Sequence, residues 1–257
     1  MKKIAVVTGA NSEIGREVIL RLSKADYIIY ALSKQKVEYG YQNIIALTLD
    51  ITNSDACEKL VSKISQKEKT VDVLVNIAGY TISGPSLGFS ESDFRDIVNV
   101  NLFGAFRLIK NIYPLMKING GGKIVNITSL NGLISLPNFG LYSASKHALE
   151  ALGNALYYEL YKDKIFVINI IPGAIKKTGE NTTVLHHKPA REKFLILKLL
   201  FPMLTPDYVA AKIITLINKS NPLPILIIGA DAKIMILLKN VLPQFLWVRL
   251  MRFIWEK

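Results

Sequence analysis

A phenol and an amine stand four residues apart in Tyr142-Ser-Ala-Ser-Lys146, which places both on one face of a helix. A tyrosine hydroxyl ionises near pH 10 and exchanges protons poorly at neutral pH, whereas a neighbouring ammonium favours the phenolate. The pair therefore suits proton transfer to or from an oxygen. Spacing alone does not single it out, because Tyr30/Lys34, Tyr113/Lys117, Tyr158/Lys162 and Tyr208/Lys212 repeat it as surface pairs would. Its company does: Ser129 closes an apolar run thirteen residues earlier. A second constellation lies near the start, where IAVV (4 to 7) runs into Thr8-Gly9-Ala10-Asn11-Ser12-Glu13-Ile14-Gly15 and then a helical pattern. Such a turn lets backbone N–H groups meet a pyrophosphate at the positive end of a helix, though two glycines also suit a plain strand-to-helix turn.

The elements that must position these groups are short apolar runs: 4 to 7, 27 to 32, 44 to 47, 71 to 75, 123 to 127, 165 to 171 and 225 to 228. They read as seven strands. Their continuous rather than alternating apolar character means burial on both faces, as in a parallel sheet covered by helices. Helical spacing fills the gaps at 12 to 24, 55 to 66, 92 to 117, 139 to 161 and 207 to 218. The expected fold is α/β, a doubly wound parallel sheet with helices on both faces. No repeat or hydrophilic linker marks a boundary, so residues 1–257 are expected to form a single domain. Two stretches, 173–206 and 229–257, depart from the alternation and are apolar and basic.

With 257 residues, half of them apolar, the chain can bury a substantial core without staples. Its lone Cys57 excludes a disulfide scaffold and fits a reducing compartment, so redox chemistry must come from a cofactor. The 32 Lys and Arg against 20 Asp and Glu give +12, favouring nucleotide phosphates, acidic partners or an anionic membrane face. No reading module for nucleic acid accompanies that charge. His147, His186, His187 and Cys57 form no metal-ligand pattern. The start lacks the apolar stretch of a secretion signal, and Lys198, Pro202, Lys239, Pro243, Arg249 and Arg252 interrupt the later apolar runs below spanning length. A cytoplasmic location is expected.

In order and placement these motifs resemble the short-chain dehydrogenase/reductase family, of hydroxysteroid- or retinol-dehydrogenase type, over roughly residues 1 to 230. TGANSEIG is similar to the family's cofactor turn TGxxxGxG, NIAG (76 to 79) to NNAG, YSASK to YxxxK, and Pro172-Gly173 to the PG pair after the sixth strand. The resemblance implies a Rossmann fold, NAD(P)(H) and a catalytic tetrad. Tyr142 would donate the proton in carbonyl reduction, Lys146 would hold the nicotinamide ribose and depress the tyrosine pKa, Ser129 would bond the substrate oxygen, and Asn101 would anchor a relay water. It also implies cofactor contacts at Thr8, Gly9, Asn11, Ser12, Ile14 and Gly15, at Ser33 and Lys34, and at Asp50, on the adenine side, and Ile51. Further contacts would come from Asn76, Ala78 and Gly79, from Tyr142 and Lys146, and from Pro172, Gly173, Ile175 and Thr178.

Three departures matter. Glu13 replaces the middle glycine of the turn and is expected to point to solvent. Ile77 replaces an asparagine of NNAG. Lys177 stands where the family often has threonine, with Thr178 one position later. The second strand ends in Ala31-Leu32-Ser33-Lys34 without an acid; Lys34 can pair with a 2′-phosphate, so NADP(H) is preferred over NAD(H).

The segment FLILKLLFPML (194 to 204) falls where the family keeps its substrate lid; unless it is a core helix, it implies a lipophilic alcohol or ketone such as a steroid, retinoid or fatty-chain compound. The tail from Phe245 to Trp255 must bury its apolar residues against its own subunit, a partner or a membrane interface. Family resemblance implies a homodimer or homotetramer through the helices at 92 to 117 and 139 to 161. Two alternatives stand beside the lipophilic alcohol/ketone oxidoreductase. One is a 3-oxoacyl thioester reductase docking an acidic carrier through its basic surface; the other is a nucleotide-sensing protein without catalysis.

Overall fold

The structure is a computed structural model that describes residues 2–176, 183–185 and 202–255. Strands β1 (Ile4–Thr8), β2 (Ile28–Ser33), β3 (Ile44–Thr48), β4 (Val73–Asn76), β6 (Gly122–Ile127), β7 (Ile165–Pro172) and β9 (Ile225–Ile228) form one parallel sheet. Its order is β3-β2-β1-β4-β6-β7-β9, so the winding direction reverses between β1 and β4. A crevice opens at such a switch point, outside the C-terminal strand ends. The doubly wound α/β expectation is met.

Helices cover both faces, as the uninterrupted apolar strands demand. Successive residues of β1 divide between them: Ala5 and Val7 pack with Val18, Ile19 and Ile213, from α1 (Glu13–Lys24) and α6 (Pro206–Asn218). Ile4 and Val6 join Cys57, Val61, Leu108 and Ile112 on the other face, from α2 (Ser54–Glu68) and α4 (Ala105–Ile118). Fully burying such side chains contributes about 1.5–3 kcal/mol each, enough in sum to hold the sheet flat against its helices without cross-links.

The expected continuous helix at 92 to 117 is instead α3 (Glu91–Val98), a π-helical segment Asn99–Gly104, and α4. A π turn adds a residue to the helical repeat and changes which side chains face inward. Asn101, buried within it, thereby reaches back to the loop after β4. A short strand, β5 (Thr81–Ser83), pairs with β8 (Thr183–Leu185) away from the main sheet; the apolar-run reading did not predict it.

Three asparagines sit side by side on β4, β6 and β7, where Asn76 pairs in register with Asn126 and Asn126 with Asn169. The Asn76 amide donates to Asn126 Oδ1 at 3.0 Å, Asn126 donates to Asn169 Oδ1 at 3.0 Å, and Asn169 donates to the Glu150 carbonyl at 2.9 Å. All three are buried. The ladder ties the middle of the sheet to α5 (Gly140–Leu160), which carries Tyr142 and Lys146.

The tail forms α7 (Ala230–Val241) and α8 (Gln244–Trp255). Met235, Ile236, Trp247 and Met251 pack on Ile134 and Leu136, so part of the tail buries itself on its own subunit. No described helix is long and apolar enough to cross a membrane. Most of the expected lid, residues 186–201, lies outside the described residues, as does Thr178.

Candidate active site

A crevice of about 310 Å³ lies over the switch point, walled by the loops that follow β1, β4, β6 and β7. Each strand delivers its next residues there: Ser12 and Ile14, Gly79 and Thr81, Ser129, then Pro172, Gly173 and Ile175. Tyr142 and Lys146 enter from the first turns of α5.

Ser12 caps α1. Its hydroxyl accepts from Gly15 N–H at 3.0 Å and donates to the Gly9 carbonyl at 2.7 Å. That fixes the turn and leaves Glu13 and Ile14 as the first helical positions, whose amides have no acceptor inside the helix and lie at its positive end. Gly9 sits at φ +69°, and a Cβ there would come within 2.9 Å of the Ala78 nitrogen, so the first and fourth strand loops meet only because this residue lacks a side chain. Thr8 seals the same junction, its Oγ1 accepting from Ile77 and Ala78 N–H, both at 3.0 Å. Thr8 thus spends its hydroxyl inside the protein.

Lys146 is buried, and its ammonium donates to the Ile127 carbonyl at 2.9 Å. Burial pulls its pKa from 10.5 down to about 8. Tyr142 shares hydrogen bonds with Ser129 and Thr81; burial raises its pKa, and the two hydroxyls only partly offset that. The expected depression of the phenol by Lys146 is therefore not what the protein alone produces. The ammonium lies 5.9 Å from the ring centre, and desolvation dominates both groups. The phenol is held as a protonated donor at neutral pH.

Asn101 directs its side chain into the protein framework. Its Oδ1 accepts from Tyr80 N–H and its amide donates to the Tyr80 carbonyl and to Ser145 Oγ, all at 3.0 Å. It splints the β4 loop to the helix bearing Tyr142. Asn76 likewise turns into the asparagine ladder.

On the far side, Lys34 forms an ion pair with Asp50 at 2.9 Å. Burial alone would raise the Asp50 pKa, but hydrogen bonds from Thr52 and Lys34 outweigh it and hold the carboxyl at about 2. Both residues are expected at the adenosine end of the cofactor, and the structure brings them into direct contact there. Lys34 is 80% exposed, and an exposed pair of this kind contributes about 0–1 kcal/mol, so an incoming phosphate can share the lysine. Ser33 and Ile51 are buried, and Asn11 donates to Gln35 Oε1 at 3.3 Å at the rim.

Glu13, expected to point to solvent, is half-buried and lies in the wall of the open crevice. Thr81 and Asp231 were not singled out in the sequence. Asp231 Oδ2 accepts from Ala174 N–H at 2.6 Å and packs against Gly173, fixing the loop after β7. Nothing local in the sequence marks it, because the contact spans 57 positions.

A switch-point crevice with a capped helix N-terminus on one side and a Ser–Tyr–Lys cluster on the other defines the class of dinucleotide-crevice α/β proteins. The family model described as short chain dehydrogenase matches residues 3–189. The chain belongs to that family. It is 34% identical to the 3-ketodihydrosphingosine reductase of Bacteroides thetaiotaomicron, covering 66% of this chain and 63% of that protein. It is 28% identical to the NADPH-dependent 1-acyldihydroxyacetone phosphate reductase of Saccharomyces cerevisiae, covering 95% and 88%. Among solved structures, a short-chain dehydrogenase from Streptomyces avermitilis superposes with a TM-score of 0.84 at 28% identity, covering 100% of this chain and 96% of that one. ElxO with NADP bound gives 0.76 at 28% identity, covering 89% and 97%.

Proposed function

We propose that the protein is an NADP(H)-dependent reductase of a ketone or aldehyde carried on a lipophilic molecule, working also as the alcohol dehydrogenase in reverse. The observation that carries this reading is the meeting of Ser129, Tyr142 and Lys146 in one crevice with the capped N-terminus of α1. The donor set fits a dinucleotide: the first-turn amides of α1 suit a pyrophosphate, and Lys34 suits a ribose phosphate. ElxO, which resembles this chain along most of its length, binds NADP, and two relatives are named for reducing lipid-borne ketones.

In this reading the cofactor supplies hydride to the carbonyl carbon. As charge grows on the carbonyl oxygen, the Ser129 hydroxyl donates a hydrogen bond to it and Tyr142 transfers its proton, both preplaced where the transition state needs them. Lys146 holds the ribose and, as an ammonium, favours the phenolate left after transfer. Asn101 keeps the β4 loop in register with α5 rather than facing the crevice, while the loops around Asp50, Ala78 and Gly173 hold the nucleotide. Residues 1–257 serve as one unit, and the exposed Phe103 in the π-helical segment, Phe106 on α4 and Tyr158 on α5 support pairing of those helices in a homodimer or tetramer.

NADPH oxidation against ketones of graded chain length, with NADH in parallel, tests the assignment. We expect kcat/KM to rise with apolar length and to favour NADPH. Equal turnover of short polar ketones would sink the substrate class, and activity confined to acyl-carrier thioesters would replace it.

Glu13 supplies a second test. Glu13 opens α1, whose first-turn amides would receive the pyrophosphate, and two like charges about 8 Å apart at an effective dielectric near 20 repel by about 1 kcal/mol after screening. Glu13→Gln is expected to lower the Kd for NADPH by roughly three- to tenfold, most at low salt. An unchanged Kd across salt would mean the carboxylate does not face the phosphates.

A further inference from the structure

The α7–α8 hairpin presents a face that nothing in the described structure covers. The inner sides of both helices rest on the same cluster around Ile134 and Leu136, so their outer sides point away from the body together. On α7 the outer positions include Leu237 and Val241, exposed by 61% and 69%; on α8 they include Phe245, at 63%. Ordinary surface helices do not stack large apolar residues in this way, and a contiguous patch of this kind marks an interaction site.

Charge identifies the occupant. Lys233 and Arg249 are exposed on these helices, whereas Lys239 turns back to donate to the Leu133 carbonyl; from residue 231 to 257 five basic residues stand against two acids, Asp231 and Glu256. Asp231 is engaged by the Ala174 amide. A second copy docked by two-fold symmetry would set this cationic face against itself, since an isologous contact pairs the same patch from each side. An anionic lipid surface answers both properties at once, taking the aromatic and aliphatic side chains among its acyl chains and the cations at its headgroups.

We infer that the outer face of α7 and α8 docks on anionic membranes, lying in the interface rather than crossing it. The inner face packs on residues 130–139, the segment that directly follows Ser129, so docking sets the substrate side of the crevice close to the lipid. The docking itself does not depend on the proposed chemistry.

Sedimentation of the full chain with vesicles tests it. Binding is expected to vesicles containing phosphatidylserine, to fall with salt, and to be weak on phosphatidylcholine alone. Leu237→Ser with Phe245→Ser, and separately Arg249→Glu, should each weaken it by about tenfold or more. These positions are exposed, and unchanged NADPH binding in lipid-free buffer would show that the variants fold. Absence of sedimentation by the intact protein, or binding indifferent to both variants, would overturn the inference. So would a concentration-dependent dimer, seen by sedimentation equilibrium and dissolved by the same substitutions, with no vesicle binding. Because NADPH-dependent reduction is measured without lipid, failure here and failure of the reductase reading are separable.

Discussion

Tyr142→Phe is expected to lower kcat for ketone reduction by about 10²–10⁴-fold while leaving the Kd for NADPH within a factor of a few. The ring and its packing survive; only the oxygen that bonds Ser129 and Thr81 is lost. Ser129 still steadies the carbonyl oxygen, but the growing charge has no proton to take from within the crevice. Single-turnover NADPH oxidation measures the chemical step directly. A rate near wild type would return the protein to the nucleotide-sensing class. The wild-type pH profile follows from the same site. Burial raises the phenol pKa, so reduction should hold steady through neutral pH, while alcohol oxidation, which needs the phenolate, should accelerate as the medium becomes alkaline.

Lys146→Met is expected to reduce activity by about 10²-fold or more and, unusually for a buried site, to stabilise the fold at pH 7. An unfolded lysine keeps its proton to about pH 10.5, whereas the folded one releases it near 8. The unfolded chain therefore binds more protons between these values, and stability rises with pH across that window. Below pH 8 the full cost of a buried ammonium is present, about 3 kcal/mol from the separation of the two values. Methionine removes that cost but leaves the Ile127 carbonyl without its donor, which takes back about 1 kcal/mol. The net gain of about 2 kcal/mol corresponds to roughly 5 °C in Tm for a chain of this size, and it should shrink from pH 8 towards 10.5. Thermal unfolding at pH 7 and pH 10 measures it. A lower Tm for the variant at pH 7 would mean that the ammonium is well solvated or paired in the fold.

Why some of this was legible in the sequence and some was not has a physical basis. The seven sheet strands announce themselves because a parallel strand buried on both faces must be apolar throughout. Ser129, the Tyr142/Lys146 pair and the Thr8 to Gly15 turn are legible as neighbours because each sits at a strand end or on one helical turn, where local spacing is spatial proximity. Long-range contacts leave no such trace: Thr81 meets Tyr142, and Asp231 meets Ala174, across dozens of residues. The π turn at Asn101 shifts the helical register by one residue, which a 3.6 periodicity cannot report. The orientation of Glu13 and the Lys34–Asp50 pairing depend on side-chain torsions and on distances between loops. The direction of the Tyr142 shift depends on desolvation, which is known only once the walls of the crevice are in place.

The asparagine ladder settles a difficulty that aliphatic strands create. Where neighbouring strands are almost all Ile and Val, sliding one past the next by two residues swaps like for like, and oil-like contacts barely object. Asn76, Asn126 and Asn169 make that slide prohibitive: each displaced strand would strand a carboxamide among hydrocarbons, at about 1–3 kcal/mol for every unmet group. The three amides behave as tumblers in a lock. They admit one alignment of β4, β6 and β7, and with it one relative height for the strand ends on which Ser129 and Pro172 stand.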